Sequence, residues 1–74
     1  MNKVDLSSLA EKWPSSFVTR SEIEKFSGGM TTSRSLAVFD SNGEGPEGRI
    51  IINKKCAYPV KSVIKWLESR ATTA

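Results

Sequence analysis

The side chains of this sequence that can do chemistry are mainly basic, and they are concentrated toward its carboxyl end. From residue 49 onward there are six Lys or Arg residues and one acidic residue, a net charge of +5. Residues 27–48 carry one arginine against three acidic residues, and residues 1–26 are neutral. The basic residues of the last segment are Arg49, Lys54, Lys55, Lys61, Lys65 and Arg70. This distribution suits a polyanion held at one surface.

The sequence shows little sign of the residue types and spacings that catalysis or metal binding requires. There is no histidine and one cysteine, Cys56, so a zinc site built from these ligands is not available. Glu22 and Glu24 lie two apart in a predicted helix, where they face different sides and form no acid–base pair. The segment "GEGPEG" of residues 43–48 lacks the lysine and serine or threonine of a phosphate-binding loop. We therefore predict a protein that is not an enzyme and that uses no metal, cofactor or small-molecule ligand.

Length and cysteine content predict one domain over residues 1–74, folded without disulfides. A lone cysteine is typical of a reducing compartment, and this predicts a cytoplasmic location. No apolar run reaches about 18 residues and no charged-then-apolar leader opens the chain. The sequence therefore predicts neither a membrane partner nor a signal peptide.

Two short helices are predicted in the amino-terminal half. Residues 5–13 place four apolar side chains on one helical stripe, which Pro14 ends. In the second helix, Thr19 and Glu22 have the spacing of a capping box, and the glycines at 28–29 end the helix. The stripe of the first helix consists of Leu6, Leu9, Ala10 and Trp13.

Two further helices flank a predicted β-hairpin. Thr32 is a good N-cap for a helix that runs to about Asp40. Residues 41–48 are rich in glycine and must form a loop. The β-prone residues 49–58 then predict a hairpin, and residues 60–70 predict the last helix. The expected inward-facing side chains are Leu36 and Phe39 in one helix and Val63, Trp66 and Leu67 in the other. Trp66 is expected to pack against the hairpin.

The hairpin has two possible registers. A two-residue loop pairs Ile52 with Lys55 and places that lysine on the core side. A three-residue loop lets apolar residues face each other along both strands. In that register Ile52 pairs with Cys56 and Ile50 with Tyr58, and these four side chains share one buried face. We predict the three-residue loop, with Lys54 and Lys55 projecting from the tip, where they either keep the edge soluble or contact a polyanion.

The glycine-containing turn between the second and third helices predicts a helix-turn-helix, whose second helix projects into the DNA major groove. The first turn of that helix offers hydroxyl donors and one guanidinium. Free backbone N–H groups there suit a phosphate, and Arg34 can reach guanine. The alternative to DNA contact is that these serines and threonines only cap the start of the helix. The residues concerned are Thr32, Ser33, Arg34 and Ser35.

Three stretches of the chain are similar, in order and spacing, to sequences of the excisionase and AlpA-type regulators of phages and mobile elements. They read "FVTRSEIEKFSG", "TSRSLAVF" and "IIINKKCAYPVKSVIKWLESR", and the resemblance covers residues 19–70. It implies a mostly helical α+β fold, a MerR-like winged helix-turn-helix with one β-hairpin wing, to which this chain adds an N-terminal helix. We predict an N-terminal extension over 1–16, a winged core over 17–70 and a frayed tail over 71–74.

The same resemblance implies a small sequence-specific DNA-binding protein, associated with the nucleoid, that acts as a transcriptional regulator or a recombination directionality factor. Its recognition helix would enter the major groove, and its wing would lie on the backbone or in the minor groove. The predicted DNA-binding residues are Thr32, Ser33, Arg34, Ser35, Arg49, Lys54 and Lys55. Because so small a domain covers few base pairs, its predicted partners besides double-stranded DNA are a second copy, as a dimer or cooperative array, or an integrase.

The alternative function is a protein-interaction or accessory module that uses the same fold without binding DNA. This alternative predicts that Leu9 and Trp13 lie in an exposed patch, and that salt hardly alters binding.

Overall fold

The computed structural model describes residues 4–71, which form a small α+β domain of four α-helices and one antiparallel sheet in this part of the chain. The elements are α1 (Ser8–Glu11), β1 (Phe17–Thr19), α2 (Ile23–Phe26), α3 (Ser33–Ser41), β2 (Ile50–Ile52), β3 (Lys55–Pro59) and α4 (Val60–Arg70). A 3₁₀ turn, Arg20–Glu22, leads into α2. The coarse α+β prediction is thus confirmed. The predicted frayed tail lies, from residue 72 onward, outside the described residues.

The sheet has a third strand that the sequence did not predict. Its strand order is β1–β3–β2, so β3 is central and the hairpin supplies only two of the strands. Val18 of β1 lies opposite Tyr58 of β3, and both side chains are fully buried. The pairing continues past the strand end, where the Val60 N–H donates to the Ser16 carbonyl oxygen at 2.9 Å.

The predicted hairpin register is wrong by one residue. A two-residue turn of Asn53 and Lys54 joins the strands, and Ile52 pairs with Lys55. Both turn residues have positive φ, 52° and 67°. Two consecutive left-handed residues form the turn whose twist matches that of a hairpin, and this local geometry outweighs the pairing of apolar side chains.

The shift moves each isoleucine of β2 to the face opposite the expected one. Ile51 pairs with Cys56 and so shares the core face of the sheet, whereas Ile50 and Ile52 face outward. β2 is also the edge strand of the sheet, and its side chains remain largely in solvent. Ile50 is 37% exposed, Ile51 64% and Ile52 60%. The predicted burial of Ile50 and Ile52 is therefore wrong, while that of Tyr58 is confirmed.

The core lies between the sheet and the helices. In α4 the buried residues follow helical spacing, so one stripe faces β1 and β3 while Lys61 and Lys65 stay in solvent. Full burial of one such aliphatic side chain contributes about 1.5–3 kcal/mol. The buried apolar residues are Val18, Ile23, Phe26, Leu36, Tyr58, Val60, Val63, Ile64 and Leu67.

The N-terminal extension completes this core. The predicted helix of residues 5–13 is a single turn, α1, because so short a helix depends on tertiary packing. The Leu6 N–H donates to Glu68 Oε2 at 2.7 Å, which ties the extension to α4. Trp13 meets the Phe26 ring edge-on, with centroids 5.2 Å apart. The apolar stripe predicted from the sequence thus packs against the core, although two of its four residues, Leu6 and Trp13, lie outside the helix.

The last helix is confirmed, but its tryptophan packs elsewhere than the sequence suggested. Trp66 is half-buried and meets the Phe39 ring edge-on at 5.3 Å between centroids, rather than covering the hairpin. Its indole Nε1–H donates to the Glu44 carbonyl oxygen at 2.7 Å. Trp66 therefore joins α4 to α3 and to the loop of residues 42–49. No helix in residues 4–71 is long and apolar enough to cross a membrane.

Candidate nucleic-acid interface

The turn between α2 and α3 sets the direction in which α3 leaves the core. Gly28 and Gly29 both have positive φ, 70° and 88°, which a glycine adopts without strain. The Gly29 N–H returns to the Glu24 carbonyl oxygen at 2.8 Å and closes the end of α2. Buried Ser27 then accepts from the Thr31 N–H at 3.2 Å, which fixes the chain just before α3 begins.

The start of α3 is capped as the sequence predicted. Thr32 Oγ1 accepts from the Ser35 N–H at 3.1 Å, so Thr32 acts first as the N-cap. Helix geometry leaves the N–H groups of Ser33 and Arg34 without an intrahelical acceptor, and both side chains are exposed. This first turn can therefore present N–H donors, a hydroxyl and a guanidinium to an anionic ligand.

The predicted capping box at the preceding helix does not form. Thr19 Oγ1 donates to Glu22 Oε1 at 2.8 Å and caps no backbone N–H. Because residues 20–22 form a 3₁₀ turn rather than α-helix, the reciprocal spacing of a capping box is lost. The turn instead places Arg20 and Ser21 toward the hairpin tip.

The hairpin tip and the start of α3 line one groove. Lys54 and Lys55 line the groove on the side of the hairpin tip, and Ser33 lines it on the side of the first turn of α3. The remaining lining residues are Thr19, Arg20, Ser21 and Cys56. The structure thus brings together three of the predicted DNA-binding residues, although Ser33 lies more than 20 positions before the two lysines in the chain. We name this set of residues the basic groove.

Comparisons of the chain with protein-family models, with curated proteins and with solved structures give no match. The resemblance to excisionase and AlpA-type regulators therefore stays a prediction.

The other predicted residues lie close by but do not line the groove. Arg34 and Ser35 are exposed on α3, and Ser35 also accepts a hydrogen bond from the Thr32 hydroxyl at 3.2 Å. Arg49 precedes β2, and its Nη1 lies 3.5 Å from Asp40 Oδ2. Its side chain is still 43% exposed, so Arg49 carries a structural ion pair as well as an accessible charge.

Sequence reasoning missed a polar cluster behind the groove, formed by Arg20, Asp40, Arg49 and Tyr58. The Asp40 carboxylate, 6% exposed, accepts from Arg20 Nη2 at 2.6 Å and from the Tyr58 hydroxyl. Arg20 Nε also donates to the Tyr58 oxygen at 3.0 Å. These contacts join the 3₁₀ turn, the end of α3 and both sides of the hairpin. The polar cluster therefore sets where the β2–β3 hairpin lies relative to α3.

The electrostatics of the cluster keep Arg20 charged and Tyr58 neutral. Hydrogen bonds to Tyr58 and Asp40 raise the pKa of the Arg20 guanidinium above its ordinary value. Burial, together with the hydrogen bond to Asp40, raises the pKa of Tyr58 to about 12. Within residues 4–71 the structure places no group of three or more His, Cys, Asp or Glu side chains where they could hold a metal ion.

The raised pKa predicts a loss of stability at high pH. Tyr58 is the one tyrosine of the chain, so tyrosinate absorbance reports it alone. We expect it to titrate near pH 12 in the folded protein and near pH 10 in denaturant. Because the pKa of Tyr58 is higher in the folded protein, the tyrosine contributes up to about 2 kcal/mol to the free energy of unfolding below pH 10. This contribution disappears as the pH rises through 12.

Tyr58→Phe should remove this part of the pH dependence of stability. A folded-state midpoint near pH 10 would contradict the burial of this hydroxyl.

Proposed function

We propose that this domain binds double-stranded DNA in a sequence-specific manner, as a transcriptional regulator or an excisionase-like recombination directionality factor. The observation that carries the proposal is the basic groove. The basic groove lies between the start of α3, the helix proposed to read DNA, and the tip of the proposed wing. These two parts are distant in the chain. A duplex seated there would place one phosphate strand between the first turn of α3 and the two lysines.

The charges of the groove suit phosphate contacts. Lys54 and Lys55 are both exposed at the tip, and Arg20, which is paired with Asp40, lines the groove beside them. Residues 49–70 supply most of the positive charge of the chain. Contacts of this kind position a protein on DNA and make its affinity fall with salt, but they carry no base information.

Base contacts are assigned to the exposed side of α3. Arg34 and Val38 lie four residues apart and therefore face the same way. Val38 is 54% exposed, which no packing requirement of the fold explains. In a major groove, the arginine can pair with guanine, and a neighbouring apolar side chain can contact a thymine methyl group. We propose that these two residues supply the sequence preference.

The alternative of a protein-interaction module, which predicted an exposed patch at Leu9 and Trp13, has less support, because both side chains are partly buried. Leu9 and Trp13 pack against the core, and the Trp13 indole donates to the Phe17 carbonyl oxygen at 2.9 Å. The N-terminal extension is therefore a structural part of the domain. Binding to DNA is the function that the exposed groups of the groove support best.

The test is the salt dependence of binding to a duplex selected from a random-sequence library. Changing Lys54 and Lys55 together to alanine should reduce the slope of log affinity against log salt by about two. At about 0.1 M salt this corresponds to a loss of roughly 10- to 100-fold in affinity, on selected and random duplexes alike. The matched control changes Lys61 and Lys65, two exposed lysines of α4 that do not line the groove. It should leave the slope nearly unchanged.

Arg34→Ala separates base reading from phosphate contact. It should lose more affinity on the selected duplex than on the random one, by about 1–3 kcal/mol, since a base contact discriminates between sequences. Equal losses on both duplexes would assign Arg34 to the backbone. If no duplex is bound above the random background, or if the lysine change leaves the slope as in the parent, the proposed function is wrong.

A further inference from the structure

The strand β2 has an open edge. In the described residues it pairs with β3 on one side and with no strand on the other. Its three isoleucines are 37%, 64% and 60% exposed. Natural edge strands are usually protected by charged side chains, proline or a bulge, because an open edge pairs with other chains. β2 is short, three residues, but it carries none of these three devices, and in the described residues no strand covers its outer edge.

The hairpin register shows which backbone groups point outward. In a two-residue hairpin the residues that flank the turn, Ile52 and Lys55, share both of their hydrogen bonds. Hydrogen-bonded and non-hydrogen-bonded pairs alternate along an antiparallel ladder. Ile51 and Cys56 are the next pair. The N–H and C=O groups of Ile51 therefore point away from β3, toward the free edge.

We propose that β2 pairs antiparallel with β2 of a second copy of this chain, about a two-fold axis at Ile51. The two sheets then form one sheet of six strands, and the two Ile51 residues exchange both backbone hydrogen bonds. The strand sequence is the same read from either end, so every isoleucine lies opposite an isoleucine of the second copy. Such a self-complementary patch is what a closed two-fold dimer requires.

The charges on either side of β2 favour the antiparallel direction. The loop before the strand carries the exposed residues Glu44 and Glu47, and its last residue, Arg49, is paired with Asp40. The turn after the strand carries Lys54, with Lys55 beside it. Antiparallel pairing places the acidic loop of one copy beside the basic tip of the other. Parallel pairing would place the two basic tips side by side, where like charges repel. The two glutamates and the two lysines therefore favour a second copy, in the antiparallel orientation, as the occupant of this edge.

The interface is small, since three residues a side bury less than the roughly 1,200 Å² of a standard interface. We therefore expect a reversible dimer that forms with rising concentration. Pairing uses the edge of the sheet and needs no DNA. Self-association is measured without DNA, so failure of this inference can be told apart from failure of the proposed function.

The first test is sedimentation equilibrium of the full chain from about 10 µM to about 1 mM, the range in which a small interface associates. The parent should change reversibly from monomer to dimer. Ile51→Lys places two charges on the two-fold axis and should raise the dimer dissociation constant at least tenfold. Met30→Lys is the matched control, because Met30 is 63% exposed and lies away from the sheet edge. It should dimerise like the parent.

The second test reverses the flanking charges. Glu47→Lys alone and Lys54→Glu alone should each weaken the dimer, and the double variant should recover it, because opposite charges again face each other. Both positions are exposed, so these variants decide the matter even if Ile51→Lys does not fold. A parent that stays monomeric to about 1 mM would overturn the proposal. So would a dimer as strong in Ile51→Lys as in Met30→Lys, or a double variant weaker than both single ones.

Discussion

Asp40→Ala is expected to lower the free energy of unfolding by about 3 kcal/mol, a large share of the stability of a domain this small. The Asp40 carboxylate is almost fully buried and is the acceptor on which the polar cluster depends. Without it, the Tyr58 hydroxyl loses its acceptor, and the Arg20 guanidinium, 27% exposed, loses its counter-charge. Chemical denaturation followed by circular dichroism measures this loss.

Asp40→Asn is the control that separates charge from shape. The amide oxygen can still accept from Tyr58, so the loss should be smaller, about 1–2 kcal/mol. In the proposed function both variants should also weaken DNA binding, because the wing is no longer fixed relative to α3. An alanine variant as stable as the parent would show that the carboxylate is not the centre of this cluster.

The second large effect is expected at Trp66. Trp66→Ala should lower the free energy of unfolding by about 3 kcal/mol, since it removes a large aromatic contact with Phe39 and leaves a gap between α3 and α4. The variant also removes the Nε1–H bond to Glu44. The Arg70 guanidinium, 4.1 Å from the Phe39 ring centroid, loses part of its stacking surface as well.

Trp66→Phe tests how this loss is divided. Phenylalanine keeps the edge-on contact with Phe39 but cannot donate to Glu44, so the expected loss is about 1 kcal/mol. Thermal unfolding of the two variants, measured beside the parent, gives both values. Equal losses in the two variants would assign the stabilisation to the hydrogen bond rather than to the ring contact.

The end of α2 and the start of α3 were predictable from the sequence because their causes are local. Thr32 caps the helix that begins one residue later, and Gly28 and Gly29 end the preceding one. The strand β1 was not predictable in this way. Three residues do not form a strand by themselves, and the partner of Val18 lies 40 positions further along the chain.

The hairpin register shows two signals in conflict. Pairing apolar side chains favoured a three-residue loop, whereas Asn53 is a residue type that adopts positive φ readily. Lys54 is not, so the tip sequence gave only half of the usual signal for a two-residue turn. The correct register leaves Ile50 and Ile52 in solvent, which a rule of burying apolar residues cannot anticipate.

The candidate site was predicted residue by residue but not as an arrangement. The basic tip and the start of α3 follow from charge and capping, but that Ser33, Lys54 and Lys55 line one groove did not follow from the sequence. The role of Arg20 was missed because it lies in a segment whose charges cancel. Asp40 was missed as an anchor because, in sequence, it is only the polar end of a helix.

In the proposed function, the polar cluster also bears on how the free domain meets DNA. Because Asp40 contacts both Arg49 and Tyr58, both sides of the hairpin are already held against the end of α3 before any encounter. Docking then freezes few additional torsions, so little of the gross interaction energy is offset by lost conformational entropy. We expect association to be limited by diffusion and charge steering rather than by a slow rearrangement, with affinity adjusted mainly through the dissociation rate.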